Sequence, residues 1–469
     1  MKRVFLSALV ILLSVCSVSA ANHYVRAGAG GIGADWSDAL SDLPASLTRG
    51  DTYCLAGGAY AHHDFNDALS GESVITIKFA TVADHCGQNT GWLDSYAVTA
   101  SNQAVFGTVS KNTWVFHAGY YTFTGGTRST MTTGYSVKLD NVVQNATGCC
   151  GYGILFGAGA TTDHISIDYV DIPGWGVSDT THYYTPIYGA TALSVAYLYL
   201  GHLYVHDISL LSDGLMSGGW DHPTLEYSYF ARIVGDATHH KEFISDSGSN
   251  YFTIRYNVFM DCCIAGGTGF IVSLNSGPIS TSTGWAIYGN VFGESSGNSE
   301  YSVGHGVVVC SNNNVCINWV MYNNVIVNNN LQPGGQTSSS QFAFDQAGVG
   351  SSGNVAINNL WYLDRKVGCV GPSLTCSYNY YAATQDTSNP VAETGAQIDS
   401  QNPFVDWVNG DFHLARATNN GSSLSSPYNI DPTGATRGAD GVWDRGAYEF
   451  TGFVARPNPP QNVRVTSVK

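Results

Sequence analysis

One phrase recurs along the chain: an apolar residue, two variable ones, Asn, then two apolar residues. It reads Ile254-Arg255-Tyr256-Asn257-Val258-Phe259, then Ile287-Tyr288-Gly289-Asn290-Val291-Phe292, then Met321-Tyr322-Asn323-Asn324-Val325-Ile326. It returns around Asn359-Leu360-Trp361, with looser copies at 225–230, 199–205, 165–170 and 139–143. The Asn positions 257, 290, 324 and 359 are spaced by 33, 34 and 35 residues. A period of this size is the signature of a solenoid or an array of repeats. Within each copy polar and apolar residues alternate, and β-branched and aromatic residues dominate, so the copies are predicted strands. Gly, Ser, Asn and Asp clusters between them are turns and loops.

No segment after residue 50 keeps a helical period, which excludes helical repeats, and the missing Leu spacing excludes leucine-rich repeats. What remains is a solenoid of short parallel strands, one coil per repeat, about ten to twelve coils long. Equivalent residues of successive coils then stack about 4.8 Å apart. A buried Asn at such a position can donate to one neighbour and accept from the other. Asn257, Asn290 and Asn324 are therefore expected to be structural rather than catalytic.

The Gly content, 54 of 469 residues, suits a turn-rich fold, and the hydrophobic content of 44% is enough for a large core. A net charge of −16 argues against a nucleic-acid binder, which needs a basic surface. Residues 1–20 read as a secretory signal, with Lys2 and Arg3 ahead of an apolar segment at 5–18 and small residues at Val18-Ser19-Ala20. A fourteen-residue segment is too short to span a bilayer, and no later apolar stretch is longer. The expected location is secreted, extracellular, periplasmic or at the cell surface, without membrane insertion and as a monomer. Ten cysteines follow the signal, and an even number in an exported chain favours disulfides over zinc. Cys310/Cys316 and Cys369/Cys376 are spaced as loop staples and Cys54/Cys86 as a longer bridge, while the partners of Cys149, Cys150, Cys262 and Cys263 stay open.

From 22 to 450 the chain resembles right-handed parallel β-helix proteins of the pectate-lyase-like superfamily. The start, His23-Tyr24-Val25-Arg26 through Asp35-Trp36 to Arg49-Gly50-Asp51-Thr52-Tyr53, resembles their N-terminal cap. Trp36, Leu40, Leu43 and Leu47 suggest a short amphipathic helix there, interrupted at Pro44. Asn402-Pro403-Phe404, Gly410-Asp411-Phe412-His413-Leu414 and Gly446-Ala447-Tyr448-Glu449-Phe450 resemble a closing module. The predicted organisation is a signal at 1–20, a cap and first coil at 21–55, coils at 56–400, a capping module at 401–450 and a Pro-rich tail at 451–469. Within that tail 461–465 resembles the first strand of a fibronectin-type domain.

Candidate chemistry concentrates in the middle, at Asp213, Trp220-Asp221-His222, Arg232, Asp236, His239-His240-Lys241-Glu242, Asp246 and Arg255. Aligning the repeats puts Leu215, Phe243, Phe270, Val307 and Phe342 in one inward column. Glu242 then faces outward beside Gly214, Gly269 and Gly306, with His240 sharing that parity, as in a groove cleared of bulk for a long substrate. A second outward column holds Glu226, Arg255, Tyr288 and Tyr322, either a cross-strand ion pair beside tyrosines or a sugar-stacking surface.

The resemblance implies action on polysaccharides, foremost β-elimination of a uronate. A base removes the proton beside the carboxyl group while a cation neutralises that carboxylate. His240, Lys241 and Arg255 are candidate bases, with Glu242 beside them. Trp220, His222, Tyr288 and Tyr322 are candidate sugar contacts, and Asp213, Asp221 and Asp236 a candidate Ca²⁺ set. Trp220-Asp221-His222 resembles a Trp-x-Asp-His phrase of pectate lyases without the intervening residue, and the downstream Arg-x-Pro-x-x-Arg is missing. Gly304-His305-Gly306 matches a polygalacturonase tripeptide, but that family's acidic motifs are missing, so hydrolysis ranks lower. A non-catalytic, adhesin-like carbohydrate-binding protein is the other alternative.

Overall fold

A computed structural model describes residues 20–452 except 108–111, 141–150, 159–160, 180–182, 190–193, 209–212, 234–240, 263–266, 275–280, 296–302, 330–341, 365–366 and 385–392. The signal segment and the Pro-rich tail lie outside it. The chain winds through three parallel sheets in fixed order, and each strand pairs with its equivalent one coil away. The first sheet has twelve strands, from Asn22–Val25 to Leu374–Ser377. The second has twelve, from Gly58–Tyr60 to Gln397–Asp399, and the third ten, from His63–Phe65 to Cys369–Val370. This is the parallel solenoid the repeat predicted, in the right-handed β-helix form that the resemblance implied.

Alternation fixes the core. In Thr253–Arg255 only Ile254 points inward, and it pairs with Leu225 and Ile287 in the neighbouring coils. Stacked columns such as Phe230, Phe259 and Phe292, with ring centroids 5.2 and 5.1 Å apart, fill the interior. The Asn column is a continuous ladder. Asn257 Nδ2 donates to Asn290 Oδ1 at 3.1 Å, Asn290 to Asn324 at 3.0 Å, Asn324 to Asn359 at 3.0 Å and Asn359 to Asn379 at 3.0 Å. Each amide also donates to a backbone carbonyl of the preceding coil, as Asn290 does to Ile254 at 2.9 Å.

Disulfides join Cys54 to Cys86, Cys310 to Cys316 and Cys369 to Cys376. Cys262 is also disulfide-bonded, while Cys149, Cys150 and Cys263 lie outside the described residues. No α-helix occurs among the described residues, and none of them forms a helix able to cross a membrane.

The N-terminal cap differs from expectation. Trp36, Leu43 and Leu47 are buried, but through bends rather than a helix. The Asp35 carboxylate accepts from the backbone N–H groups of Ser37 and Asp38 at 2.8 and 3.0 Å, a side-chain turn that competes with helical bonding. At the other end a hairpin of Phe404–Asp406 and Asp411–Leu414 begins a segment that runs back along the outside of the helix. Phe404, Phe412, Leu414 and Ala447 pack there on Val258, Val291, Val325 and Leu360 of the second sheet.

Candidate functional site at the edge between the second and third sheets

Titratable side chains gather where the second sheet gives way to the third. Strand register sets Asp171 beside Tyr204, and His206 one coil from Pro173 and Ala231, on the outward side of the second sheet. Asp207 and Arg232 follow at the strand ends, both left-handed with φ of 56° and 55°. His206 bonds Asp171 through Nε2 at 2.9 Å and Asp207 through Nδ1 at 2.6 Å, its ring 3.9 Å from that of Tyr204. Arg232 forks onto Asp207 at 2.5 and 2.9 Å and donates to the Tyr204 hydroxyl at 3.0 Å.

Burial works against the His206 cation, but the two carboxylates outweigh it and raise its pKa. Burial likewise opposes the Asp207 anion, yet Arg232 and His206 hold its carboxyl below the usual range. The two cations balance the two anions. Because both ring nitrogens of His206 are engaged, this cluster orders the edge more readily than it shuttles a proton.

Lys241 and Glu242 lead into the next strand, Ile244–Ser247, with His240 and Asp236 outside the described residues. Both are buried rather than lining an open groove. The Glu242 backbone N–H donates to the Asp213 carboxylate at 3.1 Å. The predicted alignment slips by one residue here: Leu215 pairs with Ile244, not Phe243, and Ile244 with Ile271. Phe243 and Ile244 both enter the core, because the chain turns a corner between them. The neighbouring glycines do not clear space for a substrate either. A Cβ on Gly269 would come within 2.4 Å of the Gly306 carbonyl, and one on Gly214 within 2.7 Å of the Phe243 carbonyl. They permit close coil packing.

Of the candidate metal set only Asp213 and Asp221 lie among the described residues. Asp213 precedes strand Leu215–Gly218 and Asp221 follows it, so they lie at opposite ends of one strand. Among the described residues no three His, Cys, Asp or Glu side chains could hold a metal ion.

The Glu226, Arg255, Tyr288, Tyr322 column forms as aligned. Arg255 Nε donates to Glu226 at 2.5 Å and its Nη1 to the Tyr288 hydroxyl at 3.0 Å. Burial lowers the Arg255 pKa, but Tyr288 and Glu226 overcome it, so this guanidinium stays charged and is unsuited to act as a base. Tyr428 of the C-terminal segment wedges edge-on against Tyr288 and Tyr322, 4.9 Å from each. Tyr288 is consequently buried, as is Trp220, and neither presents a face to a sugar. His222 is exposed, in a row of rings along the corner between the third and first sheets. The side chain of His305 lies outside the described residues.

Asp171, His206 and Asp207 were missed. The looser repeats at 165–170 and 199–205 carried the signal, since extending them by a few residues stacks Asp171 near His206.

No family model matches the chain and no curated protein matches it in sequence. Among solved structures, pectate lyase Pel9A is similar over 92% of this chain and 97% of its own, with a TM-score of 0.53 and 13% identity. A complex of XylC with xylose aligns over 89% and 96% with 10% identity, but its TM-score of 0.33 does not bear on the fold. The fold is therefore a capped parallel β-helix of the pectate-lyase kind.

Proposed function

We propose that the chain is an extracellular, monomeric, polysaccharide-acting β-helix whose leading reaction is β-elimination of a uronate polymer. The observation that carries this reading is Lys241, an ammonium buried at the sheet edge beside Glu242 in a chain with only 12% charged residues. A primary amine held there next to a carboxylate is of the kind that serves as a base in proton abstraction. In its deprotonated form Lys241 takes the proton beside the uronate carboxyl group, the double bond forms, and the glycosidic oxygen leaves from the adjacent carbon, taking up a proton from water. Asp213 fixes the backbone at Glu242 and so the course of the chain past Lys241. The disulfides suit an oxidising, extracellular setting.

The test is ultraviolet absorbance of unsaturated uronates during incubation with polygalacturonate, alginate or a glycosaminoglycan, with calcium and with chelator. Absorbance is expected to rise on one of them. Lys241→Gln should lower that rate by about 100-fold or more at unchanged melting temperature. A flat trace on all three overturns the lyase reading in favour of non-catalytic carbohydrate binding. An active Lys241→Gln variant moves the site elsewhere.

A further inference from the structure

We infer that the corner between the third and first sheets, with the strip of first-sheet surface beside it, is a separate binding track for an uncharged linear glycan. The corner carries Tyr120, His164, Tyr197, His222 and Tyr251, one per coil. Their ring centroids are 4.7, 4.8, 5.3 and 4.5 Å apart in sequence order, each pair stacked.

All five residues have positive φ, between 51° and 62°. Bulky side chains pay for that conformation, whereas the next three coils use Gly284, Asn318 and Gly353 there, which take it with least strain. The rings are also open to water. Tyr197 is 52% and Tyr251 48% exposed, and the His164 and His222 side chains are 45% exposed. Stacked face to face, they turn their edges outward, offering phenol hydroxyls and imidazole nitrogens at a regular interval along the helix axis.

A parallel row of half-buried hydroxyl residues lies alongside. Thr122, Ser166, Tyr199, Thr224 and Thr253 stack in register on the outward side of the first sheet. The two rows give a repeating polymer the same set of amphipathic edges and hydroxyls at each coil. A linear glycan, with one set of hydroxyls per sugar, matches that periodicity.

Charge selects against a polyanion. Asp163, Asp168, Asp221 and Glu226 border the strip, against two guanidinium groups, Arg255, bound to Glu226, and Arg49, which donates to the Tyr120 carbonyl at 3.0 Å. An uncharged chain meets no such repulsion. Tyr251 ends the row above Gly284, where a Cβ would fall 2.6 Å from its ring. One coil further on, the first-sheet surface is already covered by Tyr428.

Native affinity electrophoresis tests the inference, with mixed-linkage β-glucan, glucomannan or arabinoxylan in the gel and polygalacturonate as the charged control. At least one uncharged glycan should retard the protein. The double variant Tyr197→Ala/Tyr251→Ala should bind at least tenfold more weakly. Tyr197→Phe/Tyr251→Phe, which keeps the stack and removes two hydroxyls, should bind several-fold more weakly at unchanged melting temperature. Retardation by polygalacturonate alone, by none of the glycans, or equally in wild type and a folded variant overturns the inference. Lys241→Gln should leave retardation unaltered, which separates this surface from the lyase reading.

Discussion

The corner between the first and second sheets solves one backbone problem in two ways along its length. Every coil from Tyr169 to Tyr378 has a left-handed residue there. In the earlier coils it is Tyr169, His202, Tyr227 and Tyr256, whose rings contact one another outside the helix at 4.3, 5.2 and 5.1 Å. In the later coils it is Gly289, Asn323 and Asn358, before Tyr378 in the last, and the residue behind each, Asn290, Asn324, Asn359 or Asn379, belongs to the buried ladder. Ser228 begins that ladder, accepting the Leu203 N–H on its hydroxyl at 3.0 Å and donating its own N–H to Asn257 at 2.9 Å.

Small polar residues leave the later half of the corner open to the C-terminal segment. Asn358 Nδ2 donates to the Ser422 carbonyl at 2.8 Å, and the Trp443 indole donates to Asn323 at 3.3 Å. A side chain on Gly289 would run into the Tyr256 ring, 2.7 Å from a Cβ there. Rings join the earlier coils at this corner and amides the later ones, with Tyr256 at the boundary already buried and donating its hydroxyl to the Ile430 carbonyl of the C-terminal segment.

The sharpest way to break this contrast is Asn290→Ala. It deletes two donated bonds and leaves the Asn257 backbone and side-chain N–H groups without their acceptor in the interior. A loss of about 4 kcal/mol is expected in denaturant unfolding, and a loss below about 1 kcal/mol would show that the amides are dispensable.

A smaller effect is expected from pH, confined to the covered half. Burial pushes the Glu449 carboxyl up to about 7, only partly countered by Arg437 at 3.6 Å. A raised carboxyl pKa gives stability that is complete below the unfolded value of 4.5 and lost as pH rises through about 7. Hydrogen exchange around 437–450 should therefore quicken across that window, and Glu449→Gln should flatten the dependence. The same quickening in the variant would place its origin elsewhere.

Smallest is Tyr227→Asn in the ring half. It removes two ring contacts and relieves the strain of a bulky left-handed residue, so calorimetry should show a change of about 1 kcal/mol or less. A loss as large as that of Asn290→Ala would erase the distinction between the two halves.

Much of the architecture was readable from residues alone. The Asn spacing gave the ladder, and the alternation aligned the first and second sheets from residue 165 onward, including the Glu226 to Tyr322 column, whereas the copy beginning at Leu139 was misplaced, since Leu139 belongs to a second-sheet strand. The third sheet was misaligned because Phe243 and Ile244 both turn inward, and because the pairing shifts between Gly267 and Gly269. Neither departure has a local signature in a Gly-rich chain. Of the candidate site, Lys241, Glu242 and Asp213 do share one edge, but their burial was not legible. Tyr288 was misjudged because Tyr428, 140 residues later, covers it. His206 and its two carboxylates were hidden by loops of unequal length, which blur the repeat where the coils differ most.

The sequence by itself determined the solenoid, its period and its interior, because a two-residue alternation repeated once per coil admits one inward face per strand. Tertiary structure decided which outward columns meet water. That depends on remote segments folding back over particular coils and on corners where two successive residues turn inward, and neither is encoded in the repeat.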